Sequence, residues 1–196
     1  MIFRRLKELE RQIAELSLKV KHNKIIIGSY GWLNHVTVRF ENVSPNPDPV
    51  YATEGDSGFD LRAWLMDDEN DVKTDGTGAL TVQIAPHERR LIHTGIRLEL
   101  PEHTEAQVRP RSGSALKVGL SLANAIGTVD ELYRGEVCII ALNTSDKPIT
   151  IKNGERIAQC VICPVFNSFY VTLENCGTVD RNTERGEGGF GHTGTN

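Results

Sequence analysis

The sequence predicts an all-β barrel or sandwich placed behind an N-terminal amphipathic helix. Three observations predict it. Short runs rich in β-branched and aromatic residues recur between residues 36 and 173, separated by clusters of Gly, Asn, Asp and Pro. Helical periodicity is confined to residues 2–20, apart from a hint of one turn at Ser112–Lys117. No internal repeat is present, so a solenoid or propeller is not expected. At 196 residues the chain is long enough for one domain with its own core and a short appendage.

The elements follow in order. Ile2, Leu6, Leu9, Ile13, Leu16 and Val20 are spaced four and three apart in alternation, an a/d heptad seam filled between by Glu, Lys, Arg and Gln. Residues 1–24 are therefore expected to form a heptad helix, either a coiled coil or a helix packed on its own domain. The mixed Leu, Ile and Val at its a and d positions do not specify oligomer number. Residues 25–35, apolar but broken by Gly28 and Gly31, are expected to be a connector or an added strand. Val36–Phe40 alternates as a strand, and Ser44-Pro-Asn-Pro-Asp-Pro49 is a rigid loop that stops it. Further strands are expected at 58–64, 80–84, 89–100, 106–109, 135–143, 149–151, 156–165 and 170–173. The polar stretch 67–78 between them is expected to be a surface loop or hairpin. It lacks the spacing and closing Glu of an EF-hand. Residues 36–180 make the barrel, and residues 181–196 make a flexible Gly-rich lid.

Charge and cysteine content narrow the function. Residues 1–24 carry seven Lys or Arg against three Glu, a net of +4, which leaves the remainder at −8. An acidic body argues against stable nucleic-acid binding, so any anion must be held by local Arg and N–H groups. No apolar run approaches membrane-spanning length. The charged N-terminus lacks a secretory h-region, and four Cys do not suggest a disulfide framework. These features lead to the expectation of a cytoplasmic, reducing setting. Cys160-x-x-Cys163 lies in an expected strand with no second Cys pair at zinc-finger spacing, so it is expected to be structural. Cys138 and Cys176 lie apart from it.

The last twelve residues hold five Gly together with Arg185, Phe190, His192 and Thr193. Glycines let main-chain N–H groups approach an anion, an arginine forks onto phosphate, and an aromatic ring stacks on a base. The tail thus has the chemistry of a lid for a nucleotide. Four more clusters combine small, polar and acid–base residues. They are Gly55-Asp-Ser-Gly-Phe-Asp-Leu-Arg-Ala63, Arg109-Pro-Arg-Ser-Gly-Ser-Ala115, Asn124-Ala-Ile-Gly-Thr-Val-Asp-Glu-Leu-Tyr-Arg-Gly-Glu136 and Gly154-Glu-Arg-Ile-Ala-Gln159.

In order and approximate spacing, these five clusters resemble the five motifs of the trimeric dUTP pyrophosphatases (dUTPases), over residues 36–196. The resemblance implies a distorted jelly-roll β-barrel, a homotrimer with three active sites built from more than one chain, and a C-terminal tail closing over a neighbour's site. It implies that Asp130 orients and deprotonates the water that attacks the α-phosphorus of dUTP. Asn124 and Gly127 would form the hairpin that reads uracil, and Tyr133 would lie under the deoxyribose and block a 2′-OH. Arg111, Ser112, Gly113 and Gln159 would contact the triphosphate, with Arg156 supporting them by ion pairing. Asp60 would act on a Mg²⁺ ion indirectly, through its bound waters. In the tail, Arg185 would meet phosphates, Phe190 would stack on uracil, and Gly191, His192 and Thr193 would close near the γ-phosphate. Asp56-Ser57 before Gly58, and Ser114 where Leu commonly follows the Gly, depart from the usual pattern without removing a catalytic group.

The expected function is therefore Mg²⁺-dependent hydrolysis of dUTP to dUMP and pyrophosphate. Two rivals differ in kind: a dCTP deaminase of the same fold, and a dUTP-binding regulatory protein using the N-terminal helix for an additional partner.

Overall fold

The computed structural model describes residues 36–67 and 71–188, together with Gln12, which is helical and exposed. The heptad helix, the 25–35 connector and the end of the lid otherwise lie outside the described residues. Among residues 36–67 and 71–188, twelve strands and one short helix follow in chain order: β1 (Arg39–Asn42), β2 (Phe59–Arg62), β3 (Lys73–Thr74), β4 (Leu80–Ile84), β5 (Arg89–Ile92), β6 (Ile96–Glu99), β7 (Thr104–Pro110), α1 (Ser112–Val118), β8 (Leu120–Leu122), β9 (Gly127–Val129), β10 (Ile139–Asn143), β11 (Ile149–Lys152) and β12 (Arg156–Pro164). The strands pair as β1-β6, β5-β10-β8, β11-β4-β3 and β2-β12-β7-β9, every ladder antiparallel. This is the all-β architecture that the strand-and-turn pattern predicts, in the jelly-roll form that the resemblance implies. No described helix is long and apolar enough to cross a membrane.

Alternation fills the core. In β4, Val82 and Ile84 point inward while Gln83 is exposed, and in β11 Ile149 and Ile151 do the same across the ladder. Leu61, Ile92, Ile139 and Ile157 join them, each no more than 1% exposed. Burying each such side chain contributes about 1.5–3 kcal/mol.

Several expected boundaries are corrected. The run 89–100 is two strands, because Thr94 and Gly95 turn the chain; Gly95 takes φ +71, open to glycine at little cost. The first strand begins at Arg39, three residues later than expected. Tyr170–Leu173 is not a strand: Asn167 accepts the N–H groups of Tyr170 and Val171 in a turn, and the chain beyond runs exposed without strand pairing to residue 187. The polar stretch contains a hairpin. Asp75 Oδ1 accepts hydrogen bonds from the N–H and hydroxyl of Thr77 and the N–H of Ala79, which holds the turn and lowers the Asp75 pKa.

Asn143, fully buried at the end of β10, ties three segments together. Its Nδ2 donates to the carbonyls of Ile84, Ala85 and Lys147 at 3.0, 3.1 and 2.7 Å, and its Oδ1 accepts from Ser145 N–H and Oγ. Asn143→Ala strands these buried partners and should cost about 2–4 kcal/mol. A fall in the urea midpoint checks this, and an unchanged midpoint contradicts it.

Candidate active site

The four-stranded sheet places the first, second and fourth clusters together. β12 pairs with β2 on one side and β7 on the other, in a register that sets Gln159 opposite both Asp60 and Arg109. Asp60 therefore lies beside the end of β7, from which Arg111 turns back. Arg111 Nε donates to Asp60 Oδ1 at 2.7 Å, and Arg156 donates to Asp60 Oδ2 at 3.1 Å. The two guanidiniums grip one carboxylate that is 25% exposed. Arg111 also donates to the Arg156 carbonyl at 3.3 Å, so two of its five N–H donors are engaged in this way. The ion pair expected of Arg156 is present, with Asp60 as its partner. Gln159 Nε2 donates to the Pro110 carbonyl at 2.9 Å, fixing the amide against the strand end.

Arg111 precedes α1 in an extended conformation, and the first helical bond runs from Ala115 N–H to the Arg111 carbonyl. Ser112 and Gly113 are exposed in the first turn. A Cβ on Gly113 would meet nothing within 4 Å, so packing within this chain does not demand glycine there.

The third cluster is built on β9 and the turns at its two ends. Residues 123–126 form an exposed turn between β8 and β9, with Ala125 at φ +57. The Asn124 amide lies over Gly127 so closely that a Cβ there would meet its Nδ2 at 3.0 Å. After β9, Tyr133 N–H donates to the Asp130 carbonyl at 3.0 Å. This turn uses Asp130 through its main chain and leaves the carboxylate exposed. Tyr133 is 46% exposed, and its hydroxyl donates to the Glu136 carbonyl at 3.0 Å. Gly135 makes that fold-back possible, because a Cβ there would collide with the Tyr133 hydroxyl and Cζ.

Register separates these two groups. Val129 pairs with Ala106, so Asp130 stands level with Glu105 at the start of β7, whereas Arg111 and Ser112 follow its other end. From Glu105 to Arg111 the strand advances about 20 Å at roughly 3.3 Å per residue. Within one chain, Asp130 does not reach Ser112. Nor does the structure bring the tail to either group: Arg185 Nε donates to the Gly188 carbonyl at 2.9 Å, and Phe190, Gly191, His192 and Thr193 lie outside the described residues.

Two supporting roles escape a reading of the sequence. Glu131 Oε2 accepts from His103 N–H and from Asn167 Nδ2, both at 2.8 Å, anchoring the Asp130 turn. Glu136 accepts Thr94 N–H at 2.9 Å and Gly95 N–H at 2.7 Å on Oε1, and faces His93 Nδ1 at 2.9 Å through Oε2. Burial works against the charged form of Glu136, but His93 and the two N–H groups outweigh it and lower its pKa. Cys138 Sγ lies 3.7 Å from His93 Nδ1. Burial, and then the charge of Glu136, push its thiol up to about 11. Of the other cysteines, Cys160 is buried in the core as expected, Cys163 is half-buried and Cys176 is exposed.

Comparison with known proteins identifies the family. The dUTPase family matches residues 44–194. The deoxyuridine 5′-triphosphate nucleotidohydrolase of a Hydrogenobaculum species is 48% identical over 146 residues, covering 74% of this chain and 89% of its own. That of Finegoldia magna is 43% identical over 157 residues, covering 80% and 98%. Among solved structures, the Staphylococcus bacteriophage 80alpha dUTPase with dUPNHPP superposes with a TM-score of 0.65 at 24% identity, over 81% of this chain and 99% of that one, a likeness of fold. Matched by the family over residues 44–194 and by relatives 43–48% identical over most of their own length, this chain belongs to the dUTPase family.

Proposed function

We propose that this chain is a dUTP diphosphatase, hydrolysing dUTP to dUMP and pyrophosphate. It thereby limits uracil incorporation into DNA and supplies dUMP for thymidylate synthesis, in the cytoplasm. The observation that carries this reading is family membership joined to an exposed Asp130 carboxylate, in a turn that engages Asp130 through its main-chain carbonyl.

In this reading Asp130 holds a water and accepts its proton as the oxygen attacks the α-phosphorus. The bond from that phosphorus to the bridging oxygen breaks, and pyrophosphate leaves with the electron pair. A carboxylate suits the task as an acceptor at hydrogen-bond distance. Ser112, Gly113, Arg111 and Gln159 hold the triphosphate and stabilise the charge that develops on the leaving group. Asn124 offers a donor and an acceptor to the uracil edge, and Gly127 keeps the base close to the backbone. Tyr133 covers the deoxyribose and excludes a 2′-OH. The lid residues Arg185, Phe190, Gly191, His192 and Thr193 close over the bound nucleotide, and the exposed, unpaired course of residues 171–187 supports an arm that reaches outward.

The roughly 20 Å between Asp130 and Ser112 along β7 supports a site completed by another copy, as in a homotrimer. The grip on Asp60 bears on the metal. Both carboxylate oxygens already accept from arginines, which disfavours direct coordination, but each retains lone-pair capacity for metal-bound water. Asp60 thus fits Mg²⁺ through water, the form this ion favours when it is carried by phosphates. Bound there, Mg²⁺ would supply charge neutralisation on the triphosphate.

Three measurements test the reading. With Mg²⁺ present, pyrophosphate release is expected from dUTP and not from dCTP, dTTP or UTP. Asp130→Asn should lower kcat by roughly 10²-fold or more while dUTP still binds. Ammonia release from dCTP, or an Asn variant as fast as wild type, would sink it. Gly135→Ala should displace the Tyr133 ring and erode discrimination between dUTP and UTP by about tenfold. Unchanged selectivity would remove Tyr133 from the sugar pocket.

A further inference from the structure

A cluster outside the triphosphate site has the chemistry of a different metal. His93, Glu136 and Cys138 each present one donor atom, and these atoms lie within 4.8 Å of one another. His93 Nδ1 is 2.9 Å from Glu136 Oε2 and 3.7 Å from Cys138 Sγ. Topology brings them together. His93 stands at the bend between β5 and β6, bridged to Trp64, and Glu136, ahead of β10, is itself bridged to Arg97 in β6. Cys138, two residues on from Glu136 along extended chain, points to the same side.

We propose that His93, Glu136 and Cys138 form a binding site for a zinc-class divalent transition metal, with a fourth position open to solvent. A nitrogen, an oxygen and a sulfur donor suit Zn²⁺ or Co²⁺ and not Mg²⁺, which takes oxygen ligands. An ion bound tetrahedrally at about 2.0–2.1 Å to nitrogen and oxygen and 2.3 Å to sulfur holds such donors about 3.3–3.6 Å apart. The observed 2.9 and 3.7 Å separations need only small side-chain movements to reach that. Glu136 is also oriented from behind, since the N–H groups of Thr94 and Gly95 hold Oε1 and leave Oε2 turned to the imidazole. Supporting bonds of this kind fix ligand direction at metal sites. The side chains of His93 and Glu136 are 33% and 21% exposed, enough to admit an ion and its water. Binding displaces the thiol proton of Cys138 and leaves the His93 ring proton on Nε2.

The site stands behind the wall of the proposed sugar pocket, because Tyr133 donates its hydroxyl to the carbonyl of Glu136. The role of the site is thus to fix the segment from Tyr133 to Cys138 against the β5–β6 bend.

Cobalt tests this directly. The full chain, stripped by a chelator and kept reduced with a phosphine, is titrated with Co²⁺ in the presence of excess Mg²⁺. One Co²⁺ per chain is expected, with a tetrahedral visible spectrum and a thiolate-to-cobalt charge-transfer band, both displaced by Zn²⁺. Cys138→Ser should abolish the charge-transfer band and weaken Co²⁺ roughly tenfold or more, and His93→Gln should weaken it by a similar factor. Cys163→Ser should leave the spectrum intact. If Cys138→Ser fails to fold, His93→Gln decides. No cobalt spectrum at millimolar Co²⁺, displacement by Mg²⁺, or a spectrum retained in the His93 and Cys138 variants would overturn the proposal.

Discussion

The register of β12 is the constraint on which the rest depends. This nine-residue strand is the shared partner of β2 and β7, and its backbone alone aligns Asp60, Gln159 and the end of β7 at one edge of the barrel. A one-residue slip would turn Ile157 and Cys160, both buried, to the opposite face, and would turn Gln159 inward. The hydrophobic alternation that builds the core is therefore also what holds Arg111 and Arg156 on either side of one carboxylate. The irregularity between Arg156 and Ala158 falls beside the site, where a bulge re-aims side chains.

The same sheet keeps Asp130 away from that cluster. β9 continues the sheet beyond β7, and antiparallel pairing carries its end toward Thr104 while Arg111 leaves from the other end. A fold that positions each half of a site rigidly, but at opposite ends of one strand, has a structural reason to associate. In the proposed trimer, exposed apolar residues in the Asp130 turn and beyond β12, such as Leu132 at 69% and Phe166 at 74%, would be surfaces for a second copy to cover.

Much of this was legible in the sequence, and what was not has physical causes. Leu80–Ile84 was readable to the residue because its apolar positions alternate between a turn and a loop. The 89–100 run read as one strand because its bend is imposed from outside: Glu136, about forty residues away, accepts the N–H groups of Thr94 and Gly95. β8 and β9, three residues each, are too short to carry a period. Tyr170–Leu173 has strand composition but no partner strand among the described residues, and β propensity is mostly the fit to a neighbour. The motif residues stood out because Gly, Arg, Asp and Asn cluster there for chemistry, not for packing. Glu131 and Glu136 lie within the third cluster, but their partners His103, Asn167 and His93 did not stand out, since they come from segments far apart in sequence.

The central claim is that Asp130 of one chain serves the Ser112 of another, and subunit mixing measures it. Asp130→Asn and Ser112→Ala chains, each inactive alone, are co-expressed with different tags and the mixed assemblies isolated. If the two residues belong to different chains of one site, each mixed trimer regains one site of three carrying both wild-type groups, and the isolated mixed trimers show roughly a third of wild-type dUTP hydrolysis. Mixed assemblies as inactive as either parent would place both residues in the same chain's site and contradict the account.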